Sequence, residues 1–380
     1  MIIEIRGTGF ANKGAELMLA AIVDWLGQTL PEASLVVRPD VGPYQRRARY
    51  GLLQVFEPRR AGRLGWVLER LMHGGYRKRY GLVREVEIDV VLDASGYSLG
   101  DPWPRWAISQ TAAYYERARA KGVMVVLLPQ AIGPLEDTHI AEATRRVLLA
   151  ADLVFAREQE SLAHANRLVP EHTALRQAPD FTCLLPPVAP AAPPPGPRPV
   201  CIVPNAQMLR HGSEAIQQAY VPFLVACARH VRSLGATPFI LLHEEKADDA
   251  IGERVAAEEG GGLQVVRETD ARCLKGMIAA CELMIGSRFH GLVSALSQGV
   301  PAIGTSWSHK YQLLFEDYGR PEWLVDPVAG LGGALALIDQ LLESQEGYSR
   351  SLKEAASRQK SLAEGMWSEV VSRIQGGPSV

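Results

Sequence analysis

The stretch Leu283 to Lys310, LMIGSRFHGLVSALSQGVPAIGTSWSHK, constrains the fold of this chain more than any other. An apolar run opens it, and Gly286 and Gly291 mark a tight turn holding Ser287, Arg288 and His290. Leu292, Ala295 and Leu296 then fall at the apolar spacing of one helical face. Gly299 closes the helix, Pro301 follows, and a second short apolar run leads to Trp307, His309 and Lys310. Strand, basic turn, helix, strand, basic loop is the unit from which parallel sheets are built. A helix N-terminus offers unpaired N–H groups and the positive end of a dipole, and an arginine beside it favours an anion. Two cationic clusters, Arg288/His290 and His309/Lys310, flank this one helix, so both suit a single multiply charged ligand at the carboxyl edge of a sheet. The plainer alternative is an Arg288 paired with a neighbouring acid and a His290 satisfied where it stands. The second cluster and the strand–turn–helix setting favour the anion site.

The same alternation runs through the rest of the chain. Residues 2–6 form a first strand, and GTGFANKGAE turns into a helix over about 14–30, with Gly7, Gly9 and Gly14 permitting close backbone approach and Asn12 placed to cap. Neither GxGxxG nor the Walker A spacing is present, which disfavours a P-loop nucleotidase. A strand at Ser34–Arg38 precedes an arginine-rich segment, Arg46 to Arg84, that reads as a basic amphipathic helix with a solvated face or, alternatively, a membrane-surface contact. The apolar strand Ile88–Ala94 carries Asp93 at its end, ahead of the loop SGYSLGDPWPRW with Asp101. Asp93 is placed either to cap a turn or to do chemistry at the sheet edge. A helix to Lys121, the strand Val123–Leu128, the loop PQAIGPLED, a helix over 138–150 and the strand Asp152–Ala156 follow, the last ending in Arg157.

Residues 186–199, PPVAPAAPPPGPRP, make an extended, semi-rigid linker. Beyond it, Val200–Val203 is a strand with a polar loop from Asn205 to His211. A helix over 214–234 leads to the strand Pro238–Leu242 with His243 at its tip, then a helix from about Ala247 and the strand Leu263–Val266. A short helix over 270–280 precedes Leu283, and the tail 329–376 is helical. The expected fold class is therefore α/β, with two doubly wound Rossmann-like domains facing a cleft in a GT-B-like arrangement. The expected division is 1–185, the linker 186–199, 200–350, and a C-terminal helix 351–380 that crosses back to the first domain. That architecture serves glycosyltransferases and sugar-nucleotide epimerases alike, so fold alone selects no function.

Composition narrows the partners. Across 380 residues, 47% apolar and 22% charged content is ordinary for a globular protein, and a net charge of −2 gives nucleic acid no overall attraction. Glu4 and Arg6 interrupt the first apolar run, which reads as a strand and not a secretory signal, and no apolar run is long enough to span a membrane. Five scattered cysteines without metal-ligand spacing imply reduced thiols in a cytoplasm and no metal site.

With these residues in view, the chain resembles the polysaccharide pyruvyl transferase family over most of its length. The resemblance is strongest at IGSRFHGLVSALSQGVPAIGTSWSHK, which is similar to that family's S-R-x-H-G…A…G-x-P…K signature. Asn12, Gly14 and Glu16 match its N-x-G-x-E opening, and PQAIGP, AREQES and APDF look like further family segments. The chain departs from the family at Asp93, where DASGYSLGD stands in place of a run of glycines. The resemblance implies transfer of pyruvate from phosphoenolpyruvate onto two hydroxyls of a sugar, giving a cyclic ketal and phosphate, with the donor near the SRFHG turn. No cofactor is expected beyond that donor, with dependence on a divalent ion left open by the sequence.

The residue types suit that chemistry. A carboxylate and a phosphate close together call for fixed cations, for which Arg288, Lys310 and Arg157 are candidates, with Ser287, Gly291 and His309 beside the donor. Protonating the enol methylene calls for an acid titrating near neutrality, and His290 is the natural candidate. Asp93 or Glu16 is the candidate base, and Asn12, Gly14 and Asp101 are candidates for holding the acceptor. The arginine-rich segment would suit a lipid-linked acceptor and a peripheral contact with the inner membrane surface. Two rival readings stand: a glycosyltransferase using a nucleotide sugar, and a non-catalytic protein that binds glycans or membrane surfaces.

Overall fold

The computed structural model describes residues 1–57, 74–244, 248–306 and 310–376, the side chain of Lys310 excepted. The chain forms two compact units. One comprises Met1–Phe10, Met18–Phe181 and Ala363–Val380; the other comprises Ala11–Leu17 and Thr182–Leu362.

The first unit is built on a nine-stranded parallel sheet. Its strands are β1 (Ile2–Arg6), β2 (Ser34–Val37), β3 (Leu53–Phe56), β4 (Leu82–Arg84), β5 (Val90–Asp93), β6 (Tyr97–Leu99), β7 (Met124–Ile132), β8 (Leu153–Ala156) and β9 (Leu175–Gln177). The order β4-β3-β2-β1-β5-β7-β8-β9, with β6 on β7, makes the chain wind one way from β1 to β4 and the other way from β5 onward. The doubly wound reversal therefore falls between β1 and β5, where Arg6 pairs with Asp93. Ile3, Ile5, Val91, Leu92, Val125 and Leu127 are all buried, as strands covered on both faces must be.

The second unit repeats the plan with five parallel strands in the order β12-β11-β10-β13-β14. These are β10 (Pro199–Val203), β11 (Thr237–Leu241), β12 (Gln264–Val266), β13 (Leu283–Gly286) and β14 (Ala302–Gly304). Its reversal lies between β10 and β13, with Val203 beside Gly286. The helix Phe289–Leu296 joins β13 to β14, as the first sequence motif required.

The structure departs from the sequence expectations in several places. Residues 129–132, expected in a loop, continue β7 because every position from Met124 to Ile132 is buried. Gln207–His211, also expected in a loop, is a helical turn begun by the Asn205 side chain accepting from the Gln207 amide at 3.0 Å. The expected basic amphipathic helix falls mostly on residues 58–73, outside the described residues; its flanks are β3, the short helix Gly74–Arg79 and β4. Part of the proline-rich stretch lies against its own unit: the Val188 amide donates to Arg272 O at 3.2 Å. A Cβ on Gly276 would collide with the Val188 carbonyl.

Candidate functional site

In the second unit, parallel strands deliver their following residues to one edge. Asn205 comes after β10, His243 and Glu244 after β11, Ser287 and Arg288 after β13, and Thr305 after β14. Hydrogen bonds knit these ends into a platform. Asn205 Nδ2 donates to Ser287 O at 2.6 Å, and Tyr311 Oη donates to the same carbonyl at 2.9 Å. The Ser287 hydroxyl joins Tyr220 Oη at 2.8 Å and Thr305 Oγ1 at 2.5 Å. Ser287 is fully buried, so it organises the turn from beneath and does not face a ligand as expected.

Arg288 is likewise corrected. Its Nε donates to Asp248 Oδ2 at 2.8 Å, its Nη2 to Asp248 Oδ1, and its Nη1 lies 2.7 Å from Glu244 Oε2. Burial works against its charge, but Asp248 and Glu244 outweigh burial and raise it above its ordinary value. The guanidinium fork that was expected to meet an anion is thus occupied by two carboxylates. Asp248 also accepts from the amides of Ala206 and Glu244, at 2.9 and 3.2 Å, so the ion pair locks the loop ends after β10 and β11 to the turn after β13.

What faces this platform is a pair of helix N-termini. Arg288 is the N-cap of Phe289–Leu296, and the first three amides of such a helix have no partner within it. The helix Lys13–Thr29 begins beside it: Asn12 forms an antiparallel bridge with Glu244, and the Lys13 amide donates to His243 O at 3.4 Å. Asn12 Oδ1 accepts from the Gly14 amide at 2.8 Å, which makes it the cap that the sequence suggested. Gly14 lies against His290 so closely that a Cβ there would overlap the imidazole ring. His290 is partly exposed and meets Phe289 edge to face at 5.6 Å between centroids. Gly291, expected at the donor, is buried on the same first turn, with His243 beyond it. Glu16, a candidate base, is buried and ion-paired to Lys13 Nζ at 3.6 Å. His309 and the Lys310 side chain lie outside the described residues.

Sequence reasoning placed His243 at a strand tip but gave it no role. It is 1% exposed, and neither ring nitrogen finds a hydrogen-bond partner among the described residues. Burial, and then the charges of Arg288, His290 and Lys13, hold its imidazole well below its ordinary value, so it is neutral near pH 7. The strand-end position was a usable signal; the loss of partners depends on tertiary packing and leaves none. Asp248, the other residue missed, stands at the N-cap position of the helix Asp249–Glu259, which the sequence marked only as a helix from about Ala247.

The remaining candidates belong to the first unit. Asp93 is buried: Oδ1 accepts from the Ser95 amide at 2.8 Å and hydroxyl at 2.6 Å, and Oδ2 accepts from Tyr115 Oη. Burial and then the Asp93 charge raise the Tyr115 hydroxyl well above its ordinary value, so it remains a donor. Asp93 therefore shapes the turn after β5, with both carboxylate oxygens engaged by donors of its own unit. Gly7, at φ +72°, could carry no Cβ without striking Ser95. Asp101 accepts from the amides of Glu136 and Asp137 at 2.8 and 3.3 Å, clamping two loops where an acceptor ligand was expected. Arg157 is buried beside Glu158 at 3.9 Å and Asp180 at 3.7 Å, in a different unit from Arg288.

Among the described residues, no group of three or more His, Cys, Asp or Glu could hold a metal ion, and no helix is long and apolar enough to cross a membrane.

Comparison with known proteins adds a family and a fold. The family model described as polysaccharide pyruvyl transferase matches residues 12–309. The amylovoran biosynthesis protein AmsJ of Erwinia amylovora is 24% identical over 99 residues, a stretch covering 26% of this chain and 24% of AmsJ. The crystal structure of HepE from Anabaena with UDP and glucose superposes at a TM-score of 0.60 and 13% identity, covering 98% of this chain and 99% of HepE. The UDP-GlcNAc 2-epimerase of Neisseria meningitidis does so at 0.57 and 7% identity, covering 98% and 100%. At those identities the likeness shows the fold alone.

Proposed function

The chain belongs to the polysaccharide pyruvyl transferase family, and from that premise we propose that it transfers pyruvate from phosphoenolpyruvate onto two hydroxyls of a sugar. The product is a cyclic ketal, and phosphate is released. The observation that carries this reading is the convergence of two helix N-termini on a partly exposed histidine, His290, above a turn made rigid by Arg288 and Asp248. Backbone amides aimed at one spot suit a phosphate or carboxylate. An imidazole held among them suits proton transfer.

In this reading His290 protonates the methylene carbon of the donor. The adjacent carbon becomes electrophilic and one sugar hydroxyl attacks it, losing its proton. The carbon–oxygen bond to phosphate then breaks, and the second hydroxyl closes the ring, losing its own proton. Of the two hydroxyl protons, one replaces the proton that His290 gave up and the other leaves with phosphate. The step is balanced without an oxidant or reductant. Arg288 acts by fixing the turn, while His309 and Lys310 supply charge to the donor. Amides of the first turn of Phe289–Leu296 stabilise the departing phosphate.

The test is phosphate release from phosphoenolpyruvate with a panel of sugar acceptors, comparing wild type with His290→Ala. Calorimetry with phosphoenolpyruvate and with UDP runs alongside it. Saturable donor binding, acceptor-dependent release and a loss of at least about a hundredfold in the variant support the proposal. Binding of UDP with indifference to phosphoenolpyruvate would overturn it in favour of glycosyl transfer, as would full activity in His290→Ala for the acid role.

A further inference from the structure

His243 is buried with both of its ring nitrogens unpartnered among the described residues, in a unit where a few single atoms such as Ser294 Oγ also find no hydrogen-bond partner. Histidines in protein interiors are bonded through at least one nitrogen, because a buried donor or acceptor left unmade is costly. Here a fully enclosed imidazole has neither nitrogen partnered among the described residues. Its surroundings say what would satisfy it. The first turn of Phe289–Leu296 packs on one side, where a Cβ on Gly291 would lie 3.7 Å from His243 Cδ2. The first residue of Lys13–Thr29 donates its amide to the His243 carbonyl. Arg288, His290 and Lys13 are its charged neighbours. The described residues offer no group of three or more ligands for a metal cation. Arg288 and Lys13 are themselves paired with Asp248, Glu244 and Glu16, so what would draw an anion in is the two dipole ends and an imidazole whose nitrogens find no partner among the described residues.

We propose that His243 is a phosphate-binding residue, a buried imidazole whose N–H donates to an oxygen of a dianionic phosphoryl group held between the two helix N-termini. It positions the group beside His290, and it lies too deep to touch the methylene that His290 protonates. The inference rests on the pyruvyl-transfer reading only for the identity of the donor; the phosphate site stands on its own geometry.

The test is calorimetry of the full chain with phosphoenolpyruvate and with inorganic phosphate, for wild type, His243→Gln and His243→Leu, together with the Tm of each unliganded protein. Losing the N–H should weaken both ligands about tenfold or more in His243→Leu, with His243→Gln, which keeps a donor, in between. The unliganded His243→Leu protein should melt a few degrees higher, since an unsatisfied polar group is replaced by an apolar one. A histidine that merely packs would behave oppositely: both variants would melt lower and bind as wild type, and that result overturns the proposal. Wild type that binds neither ligand also overturns it. Wild type that binds inorganic phosphate through His243 but ignores phosphoenolpyruvate would keep the site and sink the pyruvyl donor.

Discussion

Gly14 has no space for even a methyl group, because the His290 imidazole fills the position its Cβ would take. Alanine is otherwise the better helix former at this first-turn position, by about 1 kcal/mol. The two effects act on different observables. Gly14→Ala should leave Tm within a few degrees of wild type, yet displace His290 and lower the rate of phosphate release about a hundredfold. An unchanged rate would mean that the placement of His290 is not critical. His243 makes a second prediction at this scale, through pH. Burial, and then the charges of Arg288, His290 and Lys13, put its folded value well below the ordinary 6.5 of the unfolded chain, with the Arg288 partners Asp248 and Glu244 close by. Below pH 6.5 the unfolded state binds a proton that the folded state refuses, so stability is fully present above that pH and falls as the pH drops. The slope is at most about 1.4 kcal/mol per pH unit from this one group. Urea denaturation between pH 5 and 8 should show that slope in wild type and a shallower one in His243→Leu; parallel curves would remove His243 as its source.

At the scale of elements, the Arg288–Asp248 pair ties three strand ends together, and its two members differ in how visible they were. Arg288 was legible from the strand–turn–helix motif, and so was the position of the turn. Its partner was not, because Asp248 lies forty residues upstream and meets it only once β11 and β13 flank β10. The expected free cation therefore became an internal fastener. Breaking a buried pair from one side strands the other charge, which typically costs 3–5 kcal/mol. Asp248→Asn should lower the urea midpoint accordingly, and a change below about 1 kcal/mol would show that the pair is dispensable. The same logic explains what else was readable. Apolar strands such as β8 and β13 declared themselves, since burial on both faces leaves an uninterrupted apolar run. The short edge strands β4 and β9, three residues each, have too few positions for any period to register. Asp93, Glu16 and Asp101 share a different failing: a carboxylate near a sheet edge looks the same in sequence whether it faces a ligand or a backbone amide.

For the whole molecule, the division of the chain carries the remaining prediction. The helix Gln345–Gly376 contributes residues up to Leu362 to the second unit and, from Ala363, to the first. In the first unit Trp367 is fully buried, stacked on Trp25 at 6.0 Å between centroids and edge-on to Phe181 at 5.6 Å. Met366, Val370 and Ile374 are buried along with it, at the spacing of one helical face. The Arg176–Glu369 ion pair at 3.2 Å is partly exposed on both sides and adds little by comparison. The last turns of the chain are therefore part of the core of the unit that its first strand begins. Removing a fully buried tryptophan side chain typically costs about 3–5 kcal/mol through lost burial and the cavity left behind. Trp367→Ala should lower the unfolding transition of the first unit by about that amount, while the transition of the second unit, followed by His243-dependent phosphate affinity, should stay in place. Trp367→Phe should recover much of the loss, since an aromatic ring still fills the space between Trp25 and Phe181. A single transition that shifts as one in Trp367→Ala would instead mean that the two units unfold as one cooperative body, with the shared C-terminal helix coupling their stabilities.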